Sequence, residues 1–333
     1  MHIYATFCHD QVSGPEVLEE LRRSEVFRAA KQAEVRELEI AARGHQSSAL
    51  VRARGWLKID SEELSRLRHE RETYIKKSLN CYLHCLAISD DYDTDAIRFT
   101  ALWLEHSDNE NATNEVKERM DQVPSRKFAI LMNQLASRLQ RGDEVFQKVL
   151  KRLVERICTE HPYHGMNHVY ASWKTNGGKD VQAQARQAAA AEVVTRLSKS
   201  PKTSHLWIRL DQANTYYSSF AKIKDKNDKK FKENTKIPMT SLEDSQKMQR
   251  NVPKLKLPPI TMTVALRADM DYTSVPVIAQ YSSEMTILGG LSAPKLITER
   301  LSTGTMHKEL VCLDREKCLS CMLTRLIVQK WCR

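Results

Sequence analysis

The 333-residue sequence contains no run of about 18 apolar residues, so it offers no membrane-spanning helix by the usual length criterion. Met1 to Asp10 lack a basic stretch followed by an apolar core. Nothing there resembles a secretory signal, and an intracellular protein is expected. The Gly-x-Ser-x-Gly nucleophile elbow and the His-Glu-x-x-His zinc helix are both missing, and no usable triad can be assembled, which removes the common hydrolase and zinc-protease classes. The tetratricopeptide signature is absent as well, so any helical repeats must be degenerate ones.

What is present supports ordinary globular cores: 41% of residues are hydrophobic and 7% aromatic, in a chain long enough for two domains. The net charge of +10 suits an acidic partner such as nucleic acid. Arginines interleaved with glutamates, however, read as solvated helix faces, and direct DNA binding is not expected. Cys8, Cys81, Cys85 and Cys158 are scattered through helical pattern and read as reduced, buried thiols. The other cysteines, Cys312, Cys318, Cys321 and Cys332, crowd the end of the chain. Cys318-Leu319-Ser320-Cys321 has metal-like or redox-like spacing but no second pair to complete it.

Glu16 to Ile40 is loosely helical, and Gly44 to Ser48 breaks it. From Ser61, which can cap, a long amphipathic helix runs with Leu64, Leu67, Tyr74, Ile75, Leu79, Tyr82, Leu83 and Leu86 on its apolar side. Asp93 to Asp95 cap a further helix whose buried side is expected at Ile97, Leu102 and Trp103. Another helix is expected after Pro124-Ser125, carrying Phe128, Leu131, Met132, Leu135 and Leu139 and ending near Gly142. Its partner carries Phe146, Val149, Leu150, Leu153 and Ile157. Gln182 to Leu197 and Ser204 to Lys224 supply two more after Gly177-Gly178. Short connections between amphipathic helices force antiparallel neighbours, and a succession of such pairs gives an αα-hairpin, TPR-like solenoid.

The lysine-rich run Lys222 to Lys236 reads as a solvated linker or as an electrostatic contact with nucleic acid. Beyond it the period changes. Ile260, Met262, Val264 and Leu266 alternate with Thr261, Thr263 and Ala265, as in a strand with one buried face. Val275 to Tyr281 and Met285 to Leu288 follow, a turn is expected at Gly289-Gly290, and Lys295 to Thr298 reads as the return strand. Gly289-Gly290-Leu291-Ser292-Ala293-Pro294-Lys295 either cradles phosphates through backbone amides or is a plain hairpin turn. His161, His164 and His168, with Cys158 nearby, suggest zinc. Pro162 breaks the helix between the first two, and histidines that satisfy buried helix ends at a sharp αα turn are preferred.

Several strings resemble one family. Ala101-Leu102-Trp103-Leu104-Glu105-His106-Ser107, Val123-Pro124-Ser125-Arg126-Lys127-Phe128, Leu131-Met132-Asn133-Gln134-Leu135, Ile157 through Met166 and Asn176-Gly177-Gly178-Lys179-Asp180 look like the late repeats of a FAT domain. Leu266-Arg267-Ala268-Asp269-Met270-Asp271-Tyr272, Leu288-Gly289-Gly290 and Ser292-Ala293-Pro294-Lys295 look like the opening of the kinase domain that follows it. The chain thereby resembles the phosphatidylinositol 3-kinase-related protein kinases, in their ATM-type, fungal telomere-maintenance form. The resemblance covers most of residues 60 to 311.

That resemblance implies a mostly α fold, with FAT repeats over 1–255, the start of a small, incomplete, β-rich kinase N-lobe over 256–311, and a tail outside the family over 312–333. It implies a nuclear serine/threonine protein kinase that acts at DNA double-strand breaks and telomeres, phosphorylates Ser-Gln and Thr-Gln sites, uses ATP and magnesium, and is a homodimer. Its protein partners would be the rest of the kinase and an Mre11-type break-sensing complex. By resemblance the glycine-rich loop is Gly289, Gly290, Leu291, Ser292, Ala293, Pro294 and Lys295. The ATP-binding lysine should follow Leu310-Val311, where Cys312 stands instead. The catalytic loop, the Asp-Phe-Gly-like motif and the FATC tail are not found, so no catalytic residue or metal ligand is assigned and tight ATP binding by this chain alone is not expected. Val311-Cys312 can be read from GTATGT, a common fungal intron start, so the tail is expected to be translated intron. A free-standing helical-repeat scaffold and a nucleic-acid adaptor working through Lys222 to Lys236 are the alternatives.

Overall fold

The computed structural model describes residues 1–45, 47–142, 144–174, 180–223, 234–288 and 294–311. The chain divides into two compact units, Met1–Lys127 and Phe128–Arg333.

The first unit is helical. α1 (His2–Ser13), α4 (Asp95–Glu105) and α5 (Glu110–Arg119) pack on α3 (Ser48–Ile88), and α2 (Pro15–Ala42) forms a long hairpin with it. Pro15 opens α2 where its missing N–H costs nothing, and Ser47 caps α3 by accepting from the Leu50 amide at 3.1 Å. The helix expected from Ser61 thus begins earlier. Ser61 is no cap, because its hydroxyl turns back onto the Leu57 carbonyl at 2.6 Å inside the helix. The C-terminal half of α3 buries Ile75, Leu79, Tyr82, Leu83 and Leu86, whereas the hairpin end holds only a small cluster of Val35, Leu50 and Ala53. In α4 the inward residues are Ala96, Phe99, Thr100, Leu102 and Trp103. Ile97, expected inside, is 52% exposed, since it lies one residue off that stripe.

In the second unit α8 (Val145–Glu160), α9 (Pro162–Lys174), α10 (Val181–Lys199) and α11 (Ser204–Ala221) pack in succession, as the solenoid pattern requires. All the apolar residues assigned to α8 are buried. The single helix expected after Ser125 is instead two short ones, α6 (Arg126–Ala129) and α7 (Met132–Ser137). Leu131 closes a tight turn onto the Phe128 carbonyl between them and Ile130 turns outward. α9 crosses close to α8 at Gly165, where a Cβ would lie 3.0 Å from the backbone nitrogen of Cys158. Cys8, Cys81, Cys85 and Cys158 are free, buried thiols.

The sheet is antiparallel, in the order β1 (Thr235–Pro238), β3 (Glu284–Ile287), β4 (Lys295–Leu301), β2 (Ile278–Tyr281), with β5 (Met306–Val311) on the other side of β4. β1 comes from the end of the lysine-rich run, ahead of the boundary drawn near 255, and α12 (Glu243–Asn251) follows it. β5 was not anticipated; a turn with Gly304 at φ +85° leads into it.

The strand expected at Ile260 to Leu266 is absent. Its alternation is real, with Met262, Val264 and Leu266 half-buried and Thr263 and Ala265 exposed, but the stretch enters no ladder. Pro258 and Pro259 remove two donors at its start. Side chains serve two of its backbone groups: the Thr261 amide donates to Glu309 Oε1 at 3.1 Å, and His164 Nε2 lies 2.9 Å from the Val264 carbonyl.

Candidate functional site: the glycine hairpin and its dock on the helices

The segment marked out by sequence lies between β3 and β4. Ile287 pairs with Lys295, and the Leu288 amide donates to the Pro294 carbonyl at 2.8 Å, so the two strands close a hairpin immediately before Gly289 and after Ala293. Gly289, Gly290, Leu291, Ser292 and Ala293 themselves fall outside the described residues, as do Gly177-Gly178, most of the lysine-rich run and Cys312 with the tail.

Lys295 is described, and its placement is informative. Along β4 the side chains of Lys295, Ile297, Glu299 and Leu301 are buried, while Leu296, Thr298 and Arg300 take the opposite face. Lys295 is 2% exposed, and its ammonium donates to the carbonyl of Ala221 at 2.7 Å. Ala221 ends α11, so the cation sits at the negative end of a helix, where it satisfies an otherwise orphaned carbonyl. Lys295 therefore fastens the hairpin to the helices from behind.

One turn earlier on α11, Tyr217 meets the same sheet. Its hydroxyl lies 3.0 Å from the Tyr281 hydroxyl on β2, 3.1 Å from Glu299 Oε1 on β4 and 3.0 Å from Glu309 Oε2 on β5. All these side chains are buried, and burial pushes both tyrosine hydroxyls well above their usual range. Burial, then the neighbouring Glu309, raises the Glu299 carboxyl to about 9. Thr261 extends the cluster, its hydroxyl lying 3.2 Å from Glu309 Oε1 and 2.9 Å from His307 Nε2. In the sequence Thr261 and Tyr281 register only as strand positions, and Tyr217, Glu299, His307 and Glu309 carry no motif. The available signal was a glutamate on the inward phase of β4, between Ile297 and Leu301.

The histidines at the α8–α9 turn hold the entry to the sheet. His161 Nδ1 lies 2.7 Å from the Tyr272 hydroxyl, and the Tyr272 ring packs edge-on against His161 and Tyr163. His161 also carries helix-end bonds, its amide donating to Ile157 and its carbonyl accepting from Gly165. The Arg267-to-Tyr272 string closes on itself. Arg267 pairs with Asp269, whose carboxyl that contact lowers to about 2, and the Arg267 amide donates to the Tyr272 hydroxyl at 3.4 Å. Among the described residues no cluster of histidine, cysteine and carboxylate ligands is arranged to hold a metal ion.

No family model matches the chain. Serine/threonine-protein kinase tel1 of Aspergillus oryzae is 41% identical over 316 residues, covering 93% of this chain and 11% of that protein. The solved structure described as the FAT and kinase domain of CtTel1 is 38% identical, with a TM-score of 0.82 over 93% of this chain and 21% of its own. The chain is ATM/Tel1-like. It spans about a tenth of the length of the curated Tel1 relatives. The tel1 kinase of Schizosaccharomyces pombe, 26% identical, matches over the same 93% of the chain. Solved Tel1 structures similar to this chain include a complete CtTel1 dimer with C2 symmetry, 37% identical with a TM-score of 0.82, so dimers occur in the parent family. The helices of the second unit and the five-stranded sheet thus correspond to a Tel1-type helical solenoid and part of a kinase N-lobe.

Proposed function

We propose that this chain supplies the helical clamp and the first strands of the N-lobe in a nuclear serine/threonine protein kinase of the double-strand-break checkpoint and telomere maintenance. In that reading the backbone amides of Gly289 to Ala293 face the phosphates of ATP, with magnesium and the catalytic groups supplied by parts of a Tel1-type kinase that this chain does not match. The chain alone neither transfers phosphate nor binds ATP tightly, because Cys312 occupies the place of the charged lysine. Ser-Gln and Thr-Gln sites as substrates, and an Mre11-type complex as activator, follow from the resemblance and belong to the same proposal.

The observation that carries the reading is the β3–β4 hairpin, closed by Leu288 and Pro294 and fixed from behind by Lys295 on α11. A phosphate-cradling loop works only if its flanks are held while its tip approaches the ligand. The test is a chimera: residues 61 to 311 replace the matching segment of the Aspergillus oryzae kinase. Magnesium-dependent phosphorylation of a Ser-Gln peptide is expected, with the KM for ATP raised by Gly289→Val and Gly290→Val. A folded chimera that is inactive, or one whose ATP dependence ignores both substitutions, contradicts the proposal.

A further inference from the structure

The cluster around Tyr217 contains a hydrogen-bond count that fixes a proton. A tyrosine hydroxyl has one proton to donate and two lone pairs to receive. The Tyr217 oxygen has three neighbours at 3.0 to 3.1 Å: the Tyr281 hydroxyl, Glu299 Oε1 and Glu309 Oε2. It donates to one of them, so the other two must donate to it. Tyr281 supplies one proton, and the second can come only from a carboxyl group. The fully ionised alternative leaves the Tyr217 and Tyr281 protons to serve two buried carboxylates as well as the 3.0 Å contact between the hydroxyls themselves, and neither carboxylate forms an ion pair with a described residue.

The environment says which glutamate is neutral. Glu309 Oε1 receives the Thr261 amide at 3.1 Å and the Thr261 hydroxyl at 3.2 Å, and Oε2 can receive Tyr217, so three donors occupy it as an acceptor. His307 Nε2, 2.9 Å from the same threonine oxygen, then donates into it. Glu299 is 0% exposed, with Tyr217 at Oε1 and Tyr281 and Glu309 beside its carboxyl, and its Oε2 receives no donor among the described residues. The groups facing the pair are Tyr217 from α11, Tyr281 from β2, and Glu309 with His307 from β5; Lys295 on β4 is engaged with Ala221.

We propose that Glu299 is a neutral carboxylic acid that donates to Tyr217 while Glu309 accepts from Tyr217 and Thr261, and that this single retained proton joins α11 to the three strands of the dock. The upward shift of the Glu299 carboxyl, to about 9, agrees with it. The proposal rests on geometry alone and stands whether or not the hairpin binds ATP.

The sign of the pH dependence follows. The folded chain keeps a proton that the unfolded chain releases above about pH 4.5, so this group's stabilising contribution is full below that value and is lost as pH rises towards about 9. Thermal unfolding of the 333-residue chain is measured from about pH 5 to about pH 9 beside Glu299→Gln and Glu309→Gln. Glu299→Gln, whose amide can still donate to Tyr217, is expected to fold, to unfold with a shallower pH slope, and to gain in melting temperature over the native chain as pH rises. Glu309→Gln puts a donor-bearing group among three donors and is expected to lower the melting temperature throughout. Infrared difference spectra between the native chain and Glu299→Gln should contain the carbonyl stretch of a protonated acid, a readout that survives if Glu309→Gln fails to fold. The reverse ranking of the two variants, parallel pH curves for the native chain and Glu299→Gln, or a carboxylate band in place of the acid band overturns the proposal.

Discussion

The α2–α3 hairpin and the α11–β4 dock use charged residues in opposite ways. In the hairpin, Arg22 and Arg23 reach Glu19, Arg66 reaches Glu63 and Glu70, and Arg54 reaches Glu39, all on exposed faces and mostly within one helical turn. Such pairs keep a long helix soluble and contribute little to its stability. In the dock, Lys295, Glu299 and Glu309 are buried, come from strands far apart in sequence from α11, and reach that helix through a backbone carbonyl and a tyrosine hydroxyl. The same residue types are solubilising decoration in one place and, in the other, a directional fastening between a solenoid helix and a sheet.

Substitutions should separate the two regions sharply. Glu309→Ala takes the acceptor away from the Thr261 amide, the Thr261 hydroxyl and Tyr217, and unfolding in urea should show a loss of about 3–5 kcal/mol. Lys295→Met keeps the side-chain volume but leaves the last turn of α11 without its donor. A loss of about 1.5–3 kcal/mol is expected, with no effect if the ammonium is dispensable to the dock. Val35→Ala, in the small cluster at the hairpin end, should cost about 1–2 kcal/mol. At the bottom of the scale, Arg66→Ala removes two exposed pairs and should leave the melting temperature unchanged within error. A hairpin variant as damaging as Glu309→Ala would erase the distinction.

How much of this was legible in the sequence follows from how local each feature is. The face of α8 is set by one helical period, and Phe146, Val149, Leu150, Leu153 and Ile157 are all buried as expected. The break between α2 and α3 likewise shows in Gly44 to Ser48. Strand partners are not local. The alternation at Ile260 to Leu266 revealed extended backbone, but whether a ladder or side chains would take its polar groups depended on Glu309 and His164, far along the chain in both directions. β1 hid in the end of a run whose composition reads as linker. The histidines near 161 are conspicuous for their spacing, but their partners, Tyr272 and the Val264 carbonyl, lie about a hundred residues on. The glycine hairpin is legible in Gly289-Gly290 and the family strings. The fastening behind it, Lys295 to Ala221 and Tyr217 to two glutamates, needed the third dimension.

The central claim is that α11 and the hairpin-bearing strand form one cooperative body held by Tyr217 and Lys295. Hydrogen–deuterium exchange on the chain carrying Tyr217→Phe and Lys295→Met together tests it most directly. Amides of Ser204–Ala221 and of Lys295–Leu301 should lose protection together and by similar factors, including positions several residues from either substitution. Protection lost only beside the two substituted residues, with the rest of α11 and β4 exchanging as in the native chain, would contradict it.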